Sequence, residues 1–598
     1  MSRLFIPRSV MLISWASVLF MSAGEATRAS TYYCFTGSFT DGSEVQRFYF
    51  TQLDPLTSAE PMSFKTWHYN GGTNWAGQTI AGGNFDPTLG LYNDVGTLIA
   101  YNDDSTVTPP YPNDSHIPRT LIPDPLNAGN YYLELRSYWG DLHGRGPDWA
   151  VDIEGPDNGS APDEWGMYLT GVSAAAGSTL KSFYLGSDDP NHAADFYLGP
   201  GQSINFTEDI GIGFKGNASV GMTNATMQCD NLYVGYDSNG FGSIAADKKD
   251  AHLTVNGNLY VGFAANSGAA LGNWLMVTRG ASLDSPSPSE KIIGNASGSV
   301  GVVYVDQLSL DETTRATWIS AGLITVGNEG KGSLTIRGGA LVQSPGGSIA
   351  KQAGSANSIV EVYDSAGPES TPAEWDLTGN LYVGGGSRGP GDTGTLSVST
   401  GGWVNITSPH TLKVWNTGTV NLSGGQISTG SFINSGGTFT HTDGILEINA
   451  GAFDPDTTNY NIDGADTYDY PSIYLKNGAI FNLPGLLRVG NVHAGSIEVQ
   501  SDSHLTSATA QIGYDAADGR GSVYVTGPNA VWTINGTATT NVMSIGAYGY
   551  GYLYIGNQGK VELTAEHISS RAMIGDATYS LGVLVVDGPG SLFKSDED

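Results

Sequence analysis

The chain has 598 residues, of which 39% are hydrophobic, 14% are charged and 83 are glycine; 26 basic against 58 acidic side chains leave a net charge of −32. That balance argues against nucleic-acid binding, which needs Lys and Arg to displace counterions from phosphate. Glycine at about double its usual share, and charge well under the roughly 25% of an ordinary domain, point to a fold of tight corners, and the apolar content argues against disorder.

At the N-terminus, Arg3 and Arg8 precede an apolar run from Val10 to Met21, and the small residues from Ser22 to Ser30 offer cleavage after Ala26 or Ala29. The pattern predicts a secretory signal peptide over 1–29, too short for a spanning helix. Cys34 is not in a lipoprotein-type box, because Thr31-Tyr32-Tyr33 precedes it. No later apolar run reaches membrane-spanning length. The expectation is therefore a chain secreted or held at the cell surface or outer membrane, with no transmembrane segment.

Residues 31–158 are richer in Trp, Tyr, Pro and Asp. Asp86-Pro87-Thr88-Leu89-Gly90-Leu91-Tyr92, followed by Gly96-Thr97-Leu98-Ile99-Ala100-Tyr101-Asn102-Asp103-Asp104, reads as strand, turn, strand and acidic loop. Ala128-Gly129-Asn130-Tyr131-Tyr132-Leu133 adds a turn and a closing strand, and the whole predicts a β-sandwich. Asn102, Asp103 and Asp104 supply hard oxygens suited to Ca²⁺, although Asn and Asp are also ordinary turn formers. Ser187-Asp188-Asp189-Pro190-Asn191 is a second, weaker set of this kind. Trp67, Tyr69, Trp75 and Trp139 are either core or glycan-facing, with core favoured in a small sandwich. Cys34 and Cys229 are too few for a disulfide framework and read as unpaired.

The D-P-x-L-x-L-Y…G-x-L-I-A-x-N-D-D stretch and the A-G-x-Y-x-L run carry a resemblance to the bacterial pre-peptidase C-terminal type of jelly-roll domain. Relatives of that domain in exported planctomycete and proteobacterial proteins are closer still. The segment departs from the pattern between Ser105 and Pro125, where the loop is longer and proline-rich. The resemblance implies an accessory or binding module, not a catalyst.

Residues 159–228 read as a linker and N-terminal cap, and 229–598 as a repeat array. Asp230-Asn231-Leu232-Tyr233-Val234-Gly235 recurs at Gly257–Gly262 and Gly379–Gly384, with looser copies ending at Gly294, Gly327, Gly490, Gly513, Gly546 and Gly575. The intervals between these glycines are 27, 32, 33, 57, 106, 23, 33 and 29, so 57 reads as close to two units and 106 as close to four. A second phrase, Gly332-Ser333-Leu334-Thr335-Ile336, recurs at Gly394, Gly521 and Gly551. Such periods mark a solenoid, whose units bury their apolar faces only by stacking. Alternation of apolar and polar residues has period two, and Gly and Asn stand at the strand ends. The predicted fold is thus all-β: a jelly-roll-like N-terminal β-sandwich followed by a long right-handed parallel β-helix. In each phrase Leu and Val point inward, Tyr outward, and Gly turns the corner. Tyr233, Tyr260 and Tyr382 would then form an aromatic ladder suited to sugar rings, or simply pack between coils.

The array resembles the autotransporter and PEP-CTERM-associated β-helix repeat. The resemblance rests on the V-G and G-x-L-x-V phrases and on Gly527-Pro528-Asn529-Ala530-Val531-Trp532 and Gly588-Pro589-Gly590-Ser591-Leu592-Phe593. It departs at Ser595-Asp596-Glu597-Asp598, where no sorting helix or translocator barrel follows; the expectation is a released chain or a sequence short of its native end.

Catalytic signals are thin: no H-E-x-x-H, C-x-x-C, G-x-S-x-G or phosphate-loop pattern has usable context. Asp237, Asp306, Asp364, Asp376 and Arg488 are the candidates for polysaccharide chemistry on a β-helix face, and they read first as solvated turn residues. Three functions follow in order. The first is an exported, adhesin-like structural or cell-surface interaction protein, with extracellular glycans or surface proteins as partners. The second is a carbohydrate-binding surface protein, and the third a β-helix polysaccharide lyase or hydrolase. No cofactor is expected beyond calcium. Acidic residues converging in one concave patch would favour the third reading, and exposed aromatics without carboxylates the second.

Overall fold

The computed structural model describes residues 30–595 apart from 40–43, 68–70, 83–85, 104–113, 138–147, 157–166, 175–178, 189–192, 239, 266–271, 308–313, 365–370, 516–517, 537–541, 565–571, 576 and 578–579. The predicted signal peptide lies outside the described residues. The protein is nearly all-β, with 61% of it in strands, and divides into two compact units: Met1–Tyr197 with Ile212–Val220, and Leu198–Gly211 with Gly221–Asp598.

The first unit is a jelly roll. Its strands are β1 (Ser30–Ser38), β2 (Val45–Gln52), β3 (Ser63–Thr66), β4 (Pro87–Asn93), β5 (Leu98–Asn102), β6 (His116–Ile117), β7 (Gly129–Ser137), β8 (Asp148–Pro156), β9 (Met167–Ala174) and β10 (Thr179–Ser187). One sheet runs β10-β1-β8-β3-β6 and the other β9-β2-β7-β4-β5, with all of these neighbours antiparallel. Within each, the orders 1-8-3-6 and 2-7-4-5 are the two interleaved Greek keys of a jelly roll. The inner faces meet through large aromatics: Phe35 stacks on Phe183 at 4.5 Å and meets Phe48 at 4.9 Å, and Trp149 packs edge-on to Phe48 at 6.0 Å.

β9 and β10 lie beyond residue 158, in the segment that the sequence analysis assigns to a linker. They join the sandwich because Leu180, Phe183 and Leu185 are buried against the same core. The polar, glycine-rich stretch at 155–166 hides this continuity in the sequence. Cys34 and Cys229 are both buried free thiols.

The second unit is a parallel solenoid of about 14 turns. At about 4.8 Å per coil its stack extends on the order of 65 Å. A typical coil contributes three short strands. In one coil these are Lys331–Arg337 on the first face, Leu341–Ser344 on the second and Gly347–Ile349 on the third. Each pairs in parallel with its counterpart in the next coil, at Ser358–Tyr363, Ala373–Leu377 and Leu381–Val383. The Asn-Leu-Tyr-Val-Gly phrase forms the third-face strand as predicted. Leu232, Val234, Leu259, Val261, Leu381 and Val383 are buried inside, and the tyrosines stand half-buried outside. The glycines that end the phrase turn the corner in the left-handed region; Gly262 has φ +77, and a Cβ there would sit 2.8 Å from the backbone nitrogen of Gly301.

Around residues 411–490 the sequence repeat and the coil fall out of phase. Two coils shorten, with Thr411 pairing with Ser431 and Phe432 with Phe453. Gly418–Thr429 and Thr438–Asn449 are 12-residue strands, each running across two faces. Ser472–Lys476, in the position of the first-face phrase, then pairs with Ile445–Asn449 on the second face. Ile480–Asn482 pairs with Ala452–Asp454 on the third, and Leu486–Val489 starts above Tyr460–Ile462 in a separate five-stranded sheet. From there to Leu592–Ser595 every phrase sits one face further round. The interval from Gly384 to Gly490 is therefore four coils plus one strand, not four repeats. Aromatics fill the interior at the slip: Phe453 lies 5.6 Å from Phe432, 4.7 Å from Phe481 and 5.4 Å from Tyr460.

Candidate functional site

On the third face, parallel register places one outward residue per coil: Tyr233, Tyr260, Ile292, Thr325, Ser348, Tyr382 and Lys413. Tyr233 and Tyr260 stack at 5.5 Å with ring planes 6° apart. Tyr382 does not join them, because three non-aromatic residues intervene; its hydroxyl instead accepts from Asn380 Nδ2 at 3.1 Å. The expected three-tyrosine ladder is thus a pair. That pair is enlarged by Phe263, 4.7 Å from Tyr233 and 5.2 Å from Tyr260, and by Tyr236, 5.8 Å from Tyr233. Burial in this plate, with Asp209 nearby, pushes the Tyr233 phenol up to about 12.

In the jelly roll, Asn102 ends β5 and its Nδ2 donates to the His116 carbonyl at 2.6 Å, which ties β5 to β6. Asp103 follows it, and Asp104 lies outside the described residues. Among the described residues no group of three or more His, Cys, Asp or Glu is placed to hold a metal ion. In the second acidic loop Asp188 accepts from the Ser30 amide and the Tyr32 hydroxyl, each at 3.0 Å; Asp189, Pro190 and Asn191 lie outside the described residues. Trp67 and Trp75 are half-buried around an acid that the sequence analysis missed. Asp152, fully buried, accepts from Trp67 Nε1 at 2.6 Å and the Trp75 amide at 2.9 Å. Desolvation raises its carboxyl to about 6, opposed by these bonds and by Cys34 and Lys65. Tyr69 and Trp139 lie outside the described residues.

Of the polysaccharide candidates, four are ties within the fold. Asp237 accepts from the Ser238 amide in its own turn. Asp306 is 4% exposed at its side chain and pairs with Arg337 at 2.5 Å. Asp364 is buried against the Gly401 corner. Arg488 donates to Gln511 Oε1 at 2.6 Å and lies 4.5 Å over the Tyr514 ring.

Asp376 is different. It shares the outward side of Ala373–Leu377 with Glu374, two residues away, while Trp375 between them points inward. Register stacks Glu374, Trp403 and Gln426 in one column and Asp376, Asn405 and Ser428 in the next. With Val404 beneath, five of these six residues line a shallow groove of about 170 Å³. Asp376 itself borders it. Trp403 is 42% exposed. Arg315 reaches Glu374 at 3.3 Å, but it also donates to the carbonyls of Gly339, Ala340 and Pro372 at 2.6, 3.0 and 2.9 Å. Asp376 accepts from the amides of Gln343 at 3.3 Å and Asn405 at 3.4 Å. Burial raises the Glu374 carboxyl, the Asp376 charge raises it further, and Arg315 opposes both.

Sequence reading found Asp376 but not its partners. The available signal was alternation: in Gly402-Trp403-Val404-Asn405-Ile406 the Val and Ile take the inner side, which forces the indole out. No protein-family model, curated protein or solved structure matches the chain. Among the described residues no helix is long and apolar enough to cross a membrane.

Proposed function

We propose that the protein is an exported, adhesin-like interaction protein: a β-helix rod at or beyond the cell surface, carrying a jelly-roll module. The N-terminal pattern of Arg3, Arg8 and the Val10–Met21 run supports export, and the repeat's resemblance to autotransporter and PEP-CTERM-associated arrays agrees with it. The observation that carries the reading is the solenoid's outer surface. It bears half-buried and exposed aromatics at separate stations, Tyr233 with Tyr260 and then Trp403, the last with Asn405, Gln426 and Ser428 at neighbouring outward positions. Rigid aromatics amid polar groups are interaction surfaces of the kind that hold glycans or other proteins.

The pair Glu374 and Asp376 favours a second reading, polysaccharide cleavage, since that chemistry uses two carboxyl groups. One experiment separates the two. The secreted full chain is applied to a glycan array with and without calcium, and incubated in parallel with neutral and acidic polysaccharides. Retention of glycans without chain shortening is expected. Release of shortened polymer would replace the binding reading with the enzymatic one.

A further inference from the structure

We propose that the groove at Trp403 is a saccharide subsite for amino sugars, hexosamine rings that carry a protonated free amine. The inference rests on the surface-interaction reading above and gives it a ligand class.

Among the described residues of the solenoid three indoles face outward, and Trp403 is the most exposed of them: Trp274 is half-buried beside the Tyr304 ring, and Trp415 is half-buried under Lys413 with its Nε1 donating to the Gly386 carbonyl. Trp318, Trp375 and Trp532 are fully buried, whereas Trp403 occupies the same strand position shifted by one residue and faces outward. Its strand is pinned in register on both sides, to Ala373–Leu377 and to Gly418–Thr429. The backbone beneath the indole is therefore fixed, and the exposed flat ring suits the apolar face of a pyranose. Around it stand Asn405, Gln426 and Ser428, two amides and a hydroxyl, with paired positions about 4.8 Å apart between coils and alternate positions about 6.6 Å apart along a strand. Those spacings suit the hydroxyl groups of a single sugar ring.

Charge selects among sugars. Glu374 has a cation beside it, but the Arg315 guanidinium is held by three backbone carbonyls and is not turned to an incoming anion. Asp376 is bonded by neutral amides. The groove thus carries a net negative charge within a protein of net charge −32. A uronic acid is repelled there, a neutral ring is tolerated, and an ammonium is drawn both to the carboxylate and to the indole face.

The test titrates the full chain, in about 0.15 M salt to suppress diffuse attraction, with four tetrasaccharides: β-1,4-linked glucosamine, its N-acetylated form, cellotetraose and tetragalacturonate. Binding is read by tryptophan fluorescence and calorimetry. The glucosamine tetramer is expected to bind at least about tenfold tighter than the neutral ones, and the uronate not to bind. Trp403→Ala, checked for an unchanged melting temperature, should weaken it about tenfold or more, and Trp403→Phe should restore part of that. Asp376→Asn should erase the preference for the amine, while Asp466→Asn, at an exposed position, should leave it intact. Equal or tighter uronate binding, no binding by any tetramer, or affinity unchanged in Trp403→Ala would each overturn the assignment. If Trp403→Ala keeps the full affinity for the glucosamine tetramer and still binds glycans on the array, the groove assignment falls and the surface-interaction reading survives.

Discussion

The Trp375 indole N–H donates to the Ser344 hydroxyl in the preceding coil at 3.1 Å, with both groups buried. The same contact recurs as Trp318 to Ser285 and Trp532 to Ser507, again at 3.1 Å. In each case the serine stands two residues after the residue that pairs with the tryptophan. A repeated hydrogen bond between coils lets a large ring sit in a narrow solenoid without burying an unpaired donor. Ser344→Ala should therefore cost about 1–3 kcal/mol, because the indole N–H loses its partner. Trp375→Ala should cost about 3–5 kcal/mol. Urea unfolding of the two variants checks both values.

Asp152 predicts a pH dependence of the jelly roll. The folded state holds its proton up to about pH 6, while an unperturbed Asp carboxyl loses its proton near 3.8. The native state thus binds more protons in that window, so this group's stabilisation is complete below pH 3.8 and is lost as the pH rises through 6. The loss is on the order of 2–3 kcal/mol. Melting of the wild type against Asp152→Asn, from pH 4 to pH 7, isolates the effect. The wild type should lose stability relative to the variant as the pH rises, and parallel curves would refute it.

Gly262 and Gly298 share a left-handed backbone, with φ +77 and +79. A Cβ on Gly262 meets the Gly301 nitrogen at 2.8 Å, but one on Gly298 meets nothing within 4 Å. Gly298→Ala should cost only the left-handed penalty, about 1–2 kcal/mol. Gly262→Ala should cost clearly more, because backbone atoms must move. Thermal melting of the two variants side by side reads the difference.

Much of the fold was legible because a β-helix writes its geometry into short-range pattern. Leu232 and Val234 alternate with Tyr233, and Gly235 closes the strand, so inside, outside and corner can be read from six residues. Stacking cannot be read in this way. Tyr382 sits in the same phrase as Tyr260 but has Ser348 and Lys413 as neighbours, since register depends on the length of every intervening coil. The phase slip is hidden for the same reason: Ser472–Lys476 looks like a first-face strand, and only the two short coils before it carry it to the second face. The groove was half visible. Asp376 drew notice as an acid, while Trp403, Gln426 and Ser428 come from other coils and are gathered by pairing alone.

The slip also makes a packing prediction. Phe432, Phe453 and Phe481 occupy consecutive coils and fill the interior where the shortened coils change the cross-section. Phe453→Ala should destabilise the solenoid by about 3–5 kcal/mol, measured by denaturant unfolding.

Cross-linking tests the out-of-phase solenoid most directly. The structure pairs Tyr474 with Glu447 on the second face. An unbroken repeat would instead stack Ser472–Lys476 on the first-face segment that contains Thr440, itself paired with Asn421. Adjacent outward positions on parallel strands lie within disulfide reach, about 4.4–6.8 Å between Cα atoms. Under mild oxidation the Glu447→Cys, Tyr474→Cys double variant should close an intramolecular disulfide, and the Thr440→Cys, Tyr474→Cys variant should not. Closure of the second pair and not the first would contradict the slip and the register of every coil after it.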